Sequence, residues 1–231
     1  MELKITILSL ALLSMISCKP EEKARAPISK KETVVQKELT LLEKVANAHG
    51  LENWKNVNEI QYTFNVDRDG NHFERHWTWK PKTNDVSVVM GKDTIRYTRI
   101  GIIDSTLIKT DGGFINDKYW LLAPFNLVWD CESFEYTHEE KATAPISKTA
   151  MQKLTIVYGD KGGYTPGDAY DLYFGDDLII REWVFRKANT EAPSLVTSWE
   201  NYEDFKGLKI AKTHKKDEGN WTLSFSNISV K

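Results

Sequence analysis

Residues 59–79 read EIQYTFNVDRDGNHFERHWTW and decide the fold. Apolar and polar side chains alternate from Ile60 to Val66, and the returning segment places Phe73, Trp77 and Trp79 on one face. The intervening residues 67–71, DRDGN, are typical of a turn. This period of two predicts a β-hairpin with one packed face and one solvated face.

The same alternation recurs along most of the chain and predicts about ten or eleven strands. One of these strands is expected to end near Leu107, with residues 111–113, DGG, as its turn. Short connections between successive strands predict an antiparallel sheet, and a sheet of this length curls rather than staying flat. The fold class is therefore mainly β with few helices.

Two other segments are predicted to be helical. Val35, Leu39, Leu42 and Ala46 recur at helical spacing, which predicts an amphipathic helix of about fourteen residues that ends at Gly50. Residues 114–130 are too apolar for a solvated loop and are interrupted by Pro124. We interpret them as a short helix, a kink and a second apolar segment on the concave face of the sheet. Two roles remain open for this segment: plain core packing, or a lid over a hydrophobic cavity.

The N-terminal residues resemble a bacterial lipoprotein signal with its lipobox. Lys4 precedes an apolar run of about twelve residues, against the roughly twenty that are needed to span a bilayer. Ser17 then stands directly before Cys18. A basic end, a short apolar core and a small residue are features that processing enzymes recognise. We expect removal of residues 1–17 and acylation of Cys18, with an ordinary secretory signal as the alternative.

Residues 18–32 are expected to form the acylated cysteine and a flexible tether, and residues 33–231 a single β domain. The tether is rich in charge and proline and has too few apolar groups to order itself. Lys19 rather than aspartate follows Cys18, so an outer-membrane address is expected. The order Lys19, Pro20, Glu21 and Glu22 resembles signals for surface export. The domain is therefore expected either to face the periplasm or to lie on the cell surface.

Composition excludes some partners. The formal net charge of −2 provides no electrostatic footprint for nucleic acid.

Aromatic residues make up 11% of the chain, which suits packed strands. Because acylation would occupy Cys18, Cys131 is expected to be a small buried residue without a disulfide partner.

No catalytic or metal-binding motif stands out. His72, Glu74 and His76 share one strand face and have zinc-ligand chemistry, but a solvated polar face explains them better. The segment HEE at 138–140 is interpreted as a charged turn, and Thr78 occupies the position where a calcium loop needs its final carboxylate. There is no nucleophile elbow, phosphate loop or dinucleotide fingerprint. We therefore expect no cofactor, no metal and no enzymatic activity.

Several short motifs carry a resemblance to a known architecture. They are AHGL at 48–51 with Trp54, YWLLAPF at 119–125, YDLYF at 170–174, WENY at 199–202 and FKGL at 205–208. With these motifs the chain resembles the LolA/LolB-type lipoprotein carriers and, more closely, envelope lipoproteins of Bacteroidota. The resemblance implies a curved antiparallel sheet forming an incomplete β-barrel, with the N-terminal helix and a short apolar helical segment over its concave face.

The expected function is binding of a lipid or another hydrophobic ligand in a half-barrel cavity by a monomeric, membrane-tethered protein. A curled sheet with an aromatic inner face must fill its concavity with its own side chains or with a ligand. The candidate wall residues are Trp77, Trp79, Tyr97, Trp120, Phe125, Trp129, Trp183 and Phe185. The alternatives are an interaction scaffold with a self-packed interior and a cell-envelope hydrolase built from scattered residues.

Overall fold

The computed structural model describes residues 38–101 and 103–231. The predicted signal, the Cys18 anchor, the tether and Val35 therefore lie outside the described residues. Within the described ranges the chain is mainly β, with two antiparallel sheets and helices α1 (Leu41–Ala48) and α2 (Ile108–Trp129). The predicted fold class is confirmed.

The larger sheet has seven antiparallel strands. In spatial order these are β10 (Glu200–Phe205), β11 (Leu208–Lys215), β12 (Trp221–Val230), β1 (Ile60–Arg68), β2 (Asn71–Lys80), β3 (Asp85–Met90) and β4 (Asp93–Thr98). The smaller sheet has five, in the order β5 (Phe134–Thr143), β6 (Ala150–Tyr158), β7 (Ala169–Phe174), β8 (Ile180–Arg186) and β9 (Leu195–Ser198).

The two sheets meet where β9 runs on into β10. The Trp199 backbone amide, between these strands, donates to the Arg181 carbonyl oxygen at 2.7 Å. On the other side, the Lys215 amide donates to Ser198 Oγ at 3.1 Å. We call this junction the seam. Across the described part of the chain, the outer strands β4 and β5 are not paired with each other, so the barrel is incomplete.

Helix α1 is shorter than predicted because Thr40 caps it. Thr40 Oγ1 accepts from the Glu43 amide at 3.2 Å, and the Glu43 carboxylate accepts from the Thr40 amide at 2.7 Å. This reciprocal capping box starts the helix at Leu41. Leu39, which was predicted to lie on the buried helix face, precedes the cap and is 45% exposed.

Two glycines dock the end of α1 on the β10–β11 hairpin. Gly50 has a φ of 92°, and a Cβ there would lie 1.8 Å from the Gly207 carbonyl oxygen. The same oxygen accepts a hydrogen bond from Asn53 Nδ2 at 3.1 Å. The backbones therefore approach more closely than any residue with a Cβ permits.

Helix α2 differs from the prediction at its start. The expected strand end at Leu107 lies in a short 3-10 turn (Ser105–Leu107), and residues 111–113 are helical rather than a turn. Gly113 lies close to the Arg75 guanidinium, since a Cβ there would be 3.0 Å from Arg75 Nη1. The predicted kink is confirmed: Leu122 has non-helical backbone angles, two residues before Pro124.

Two other predictions are wrong, and one strand was missed. Cys131 is exposed, because it follows the end of α2 in a surface turn. Residues 138–140 lie on the exposed edge strand β5 rather than in a turn. Strand β10 escaped notice because its sequence, ENYEDF, is mostly polar.

Candidate functional site

Helix α2 fills most of the concave face of the curved sheet. Twelve of its residues are buried, from Asp111 to Leu127. Phe114 packs against Trp77 and Trp79 of β2, with ring centroids 5.4 and 5.6 Å apart. Further along the helix, Trp120 packs against Trp183 of β8, at 4.4 Å. The helix thus contacts both sheets, and any internal cavity must lie beside it.

Two arginine–aspartate pairs fix α2 to the larger sheet. Arg75 Nε and Nη2 donate to the two Asp117 carboxylate oxygens at 2.7 and 2.6 Å, and Trp77 Nε1 donates to Asp117 at 2.8 Å. Arg99 pairs with Asp111, six residues earlier on the helix. Asp117 is fully buried, so its charge depends on these donors.

An apolar cavity of about 360 Å³ remains between the sheets, beside the middle of α2 and near one end of the strands that line it. We call it the end cavity. Its wall is largely aromatic and aliphatic and comes from β1, β12, β7, β8, β9, α2 and the β6–β7 loop. The lining residues are Phe64, Val66, Asn116, Trp120, Tyr164, Thr165, Tyr170, Trp183, Phe185, Leu195, Trp221 and Leu223.

The β6–β7 loop covers one side of the end cavity. The Tyr164 ring stacks on Tyr119 of α2 with centroids 3.7 Å apart, and Tyr164 Oη donates to Asn116 Oδ1 at 3.1 Å. Gly163 has a φ of 70°, and a Cβ there would lie 2.5 Å from the Tyr158 ring. The glycine-rich sequence thus serves close packing beside the cavity.

The mouth of the end cavity is polar. Leu195 and Trp221 also line an adjoining surface cleft that contains Arg68, Lys216 and Glu218. The Lys216 ammonium lies 5.7 Å from the Trp221 ring centroid. An apolar interior that opens on a charged rim is the arrangement that an amphiphile requires.

A larger hollow of about 480 Å³ on β2–β4 is a weaker candidate. It is open to solvent, and charged residues, including Glu59, Lys80 and Asp85, make up much of its wall. Water hydrates such a polar wall readily, so an apolar ligand that displaced this water would gain little free energy of binding.

Four buried side chains with polar atoms lie at the seam, and one of them takes part in the Trp120–Trp183 contact. They are Trp183, Thr197, Trp199 and His214, which we call the seam cluster. The His214 ring centroid is 4.5 Å from that of Trp199 and 5.2 Å from that of Trp120. Among the described residues, both indole Nε1 atoms of the cluster and the Thr197 hydroxyl find no hydrogen-bond partner, whereas His214 interacts with the Ser198 backbone.

Burial governs the protonation of His214. It lowers the pKa of the imidazole to about 3, so His214 is neutral at physiological pH. A neutral imidazole offers one donor and one acceptor, whereas each indole offers a donor alone.

A second aromatic group surrounds Lys118 on the opposite side of α2. Its ammonium lies 5.7 and 5.4 Å from the ring centroids of Trp79 and Trp129, and Trp54 contacts both rings. Burial lowers the pKa of Lys118 to about 8. These rings already enclose a cation of the protein itself.

The structure places only three of the eight predicted wall residues around the end cavity. Trp120, Trp183 and Phe185 line the end cavity. The other five lie elsewhere. Trp77 and Trp79 of β2 are buried against α2, and Phe125 is a buried residue of α2 itself. The Tyr97 hydroxyl donates to Asp111, and Trp129 lies beside Trp54. The seam cluster was missed apart from Trp183, and so was the Arg75–Asp117 pair.

The predicted polar face of β2 is solvated. His72, Glu74 and His76 are about half exposed, and both imidazoles lie within 3.5 Å of Glu74. His72 also contacts Asp67 at 2.8 Å, and these acceptors raise its pKa. Within residues 38–101 and 103–231, no cluster has the composition of a metal site, and no helix is long and apolar enough to cross a bilayer.

Comparison with known proteins gives structural similarity alone. No protein-family model and no curated protein matches the chain. A solved DUF1329 family protein from Desulfovibrio piger ATCC 29098 is similar with a TM-score of 0.48 and 11% identity, over 83% of this chain and 92% of that one.

Two further solved structures are similar at lower scores. MucB gives a TM-score of 0.30 at 10% identity, over 82% of this chain and 57% of that one. MucB in complex with MucA(peri) gives 0.26 at 10% identity, over 83% and 54%. The chain thus spans little more than half of each MucB chain. Similarities at this level carry no inference about function, and membership of the Bacteroidota lipoprotein family stays a prediction.

Proposed function

We propose that this protein is a membrane-tethered binding protein that holds a lipid or a similar amphiphile in the end cavity. The observation that carries the proposal is the apolar space that α2 leaves unfilled between the two sheets. A cavity of about 360 Å³ lies within the range of small-molecule sites. Its polar mouth provides a place for the water-soluble part of an amphiphile.

Binding rather than catalysis is the activity that we propose. Burial raises the pKa of Tyr164 and Tyr170, two hydroxyl-bearing residues of the cavity wall. A raised pKa lowers the fraction of phenolate, the basic and nucleophilic form of tyrosine, at neutral pH. Thr165 contacts the Tyr170 hydroxyl at 2.9 Å and has no neighbouring base in the wall.

Calorimetric titration of the full-length protein with decanol tests the proposal. We expect saturable binding to the wild type. Leu195→Trp, at the cavity wall, should weaken binding by about tenfold or more, the equivalent of ~1.4 kcal/mol. Val89→Trp is the matched control, because Val89 is 38% exposed on β3 and lies away from the cavity. Equal binding by the two variants would place the ligand elsewhere.

A self-packed scaffold is the second candidate function. The burial of α2 along the concave face favours it, because the helix already supplies most of the internal packing. This alternative predicts no saturable heat with decanol for the wild type or for either variant. The same titration therefore separates the two functions.

Membrane attachment is proposed to depend on Cys18 alone. The signal and lipobox at 1–18 provide one acylation site, and the outer membrane is the expected address. Cys18→Ala should move the protein from the membrane to the soluble envelope fraction while its circular dichroism spectrum and melting temperature stay unchanged. Retention of the variant in the membrane pellet at high salt would show another attachment.

Protease treatment of intact cells then distinguishes surface display from a periplasmic orientation.

A further inference from the structure

The charges at the mouth of the end cavity follow one order on two neighbouring hairpins. On β1, Phe64 and Val66 line the cavity, and Arg68 is the next residue on the same face. Because side chains alternate along a strand, Arg68 faces the cleft at the mouth. Asp69 follows it in the β1–β2 turn. The order along this strand is therefore apolar wall, cation and then carboxylate.

The β11–β12 hairpin repeats this order. Lys216 directly follows the end of β11, and its ammonium lies near the ring of Trp221, the first residue of β12. Trp221 lines the end cavity and pairs in register with Arg68 of β1, so both cations lie beside this tryptophan. Glu218 comes two residues after Lys216 and lines the cleft together with Asp69. The two carboxylates thus come from the turns beyond the two cations.

These four charged groups are available to a ligand. Within residues 38–101 and 103–231, Lys216 and Glu218 make no ion pair. Arg68 and Asp69 contact each other at 3.5 Å, with side chains 75% and 70% exposed, and a pair this exposed contributes little free energy. The remaining residues of the cleft are uncharged, so it is neutral overall. A ligand that carries one charge of each sign matches it better than a ligand with a single charge.

The volume of the end cavity limits the apolar part of the ligand. If a methylene fills about 30 Å³, roughly the share of one water in the liquid, about 360 Å³ holds at most about twelve methylenes. Two long acyl chains exceed this space. The cavity therefore fits one tail.

We infer that the ligand is a single-chain amphiphile with a zwitterionic head group, in which a phosphate joins the tail to an ammonium group. The tail fills the end cavity, and the phosphate lies against Arg68 and Lys216 at the rim. The ammonium group lies further out, beside Asp69 and Glu218. The order of charges in such a head group is the order in which the two hairpins present their partners. This inference rests on the proposed function and adds the ligand class.

Calorimetry with decyl ligands below their micelle concentrations tests the inference on the full-length protein. Decylphosphocholine carries both charges, decyltrimethylammonium the positive charge alone, and decanoate a negative charge alone. We expect decylphosphocholine to bind about three- to tenfold more tightly than either, because it makes both sets of exposed charge contacts. Glycerophosphocholine, the same head group without a tail, should give no saturable heat.

Variants that remove one charge assign the two halves of the head group. Arg68→Gln and Lys216→Gln should each lower the preference for decylphosphocholine over decyltrimethylammonium by about two- to fivefold. Glu218→Gln should instead lower the preference over decanoate. Lys92→Gln removes an exposed charge in the β3–β4 turn, outside the cleft, and is the matched control that should change neither preference. Decanol should bind all four variants as it binds the wild type.

The other outcomes overturn the inference. Equal affinity for the three charged ligands, with decanol still bound, shows that the cleft does not select the head group, and the proposed function stands. Tighter binding of decanoate or of decyltrimethylammonium than of decylphosphocholine shows selection of a single charge. Saturable binding of glycerophosphocholine shows a head-group site that does not need the cavity. Absence of binding by every decyl ligand, decanol included, removes the proposed function and the inference together.

Tail length gives a second, independent readout. Along a series of alkylphosphocholines, each methylene that enters the end cavity should raise the affinity about fourfold. The rise should end at about twelve carbons, where the cavity is full. Leu195→Trp takes space from the cavity and should move this limit to shorter tails. An affinity that keeps rising well beyond this length, or a limit unchanged in Leu195→Trp, contradicts the inference.

Discussion

Replacing Gly50 by alanine is expected to destabilise the folded protein by about 2–5 kcal/mol, from ~1–2 for left-handed backbone strain and ~1–3 for overpacking. The φ of Gly50 is 92°, and the new Cβ would fall 1.8 Å from the Gly207 carbonyl oxygen. The end of α1 must therefore separate from the β10–β11 hairpin. Urea denaturation followed by circular dichroism measures the loss.

Gly70→Ala is the matched control for this prediction. Gly70 also has a positive φ, of 79°, but an added Cβ would meet nothing within 4 Å. Its substitution should cost about 1–2 kcal/mol, the backbone strain alone. Equal losses at the two positions would show that the contact between Gly50 and Gly207 contributes nothing to stability.

Asp117→Asn is expected to destabilise the protein by about 3–5 kcal/mol, the range for breaking one partner of a buried ion pair. The substitution removes the charge that Arg75 neutralises and leaves the guanidinium, whose side chain is 20% exposed, without a counterion. Because Asp117 also accepts from Trp77, its hydrogen bonds to two residues of β2 weaken together. Chemical denaturation again supplies the measurement.

Two further variants separate a charge effect from a general loss of packing. Glu203→Gln breaks an exposed pair with Lys212 and should change stability by less than about 1 kcal/mol. The double variant Arg75→Met with Asp117→Leu replaces the pair by apolar groups and should recover much of the loss. A double variant as unstable as Asp117→Asn would contradict the electrostatic explanation.

The sheet could be predicted from the sequence because its signal is local. Ile60, Tyr62 and Phe64 alternate with more polar residues, and β1 pairs with β2 in the register that this alternation requires. The start of α2 was harder to predict, since residues 111–113 have the composition of a turn but are helical in the structure. Tertiary contacts overrode local preference there.

The candidate site could be predicted only in part. Trp183 and Phe185 follow from strand alternation, and Trp120 from the apolar segment of α2. The space between them depends on the path of the helix, which is set by Asp117 and an arginine 42 residues away. His214 stands in the charged sequence KTHKK, and its burial arises from the strand crossover at the seam. No local pattern marks such a residue.

Native mass spectrometry of full-length protein extracted from its own membranes in mild detergent tests the central claim most directly. The proposed function predicts a non-covalent amphiphile bound to the wild type, lost on denaturation, and retained by Val89→Trp. The Leu195→Trp variant, which fills the end cavity, should carry little of it. A wild-type protein that shows its ligand-free mass in every mild detergent would contradict the claim that the end cavity is a binding site.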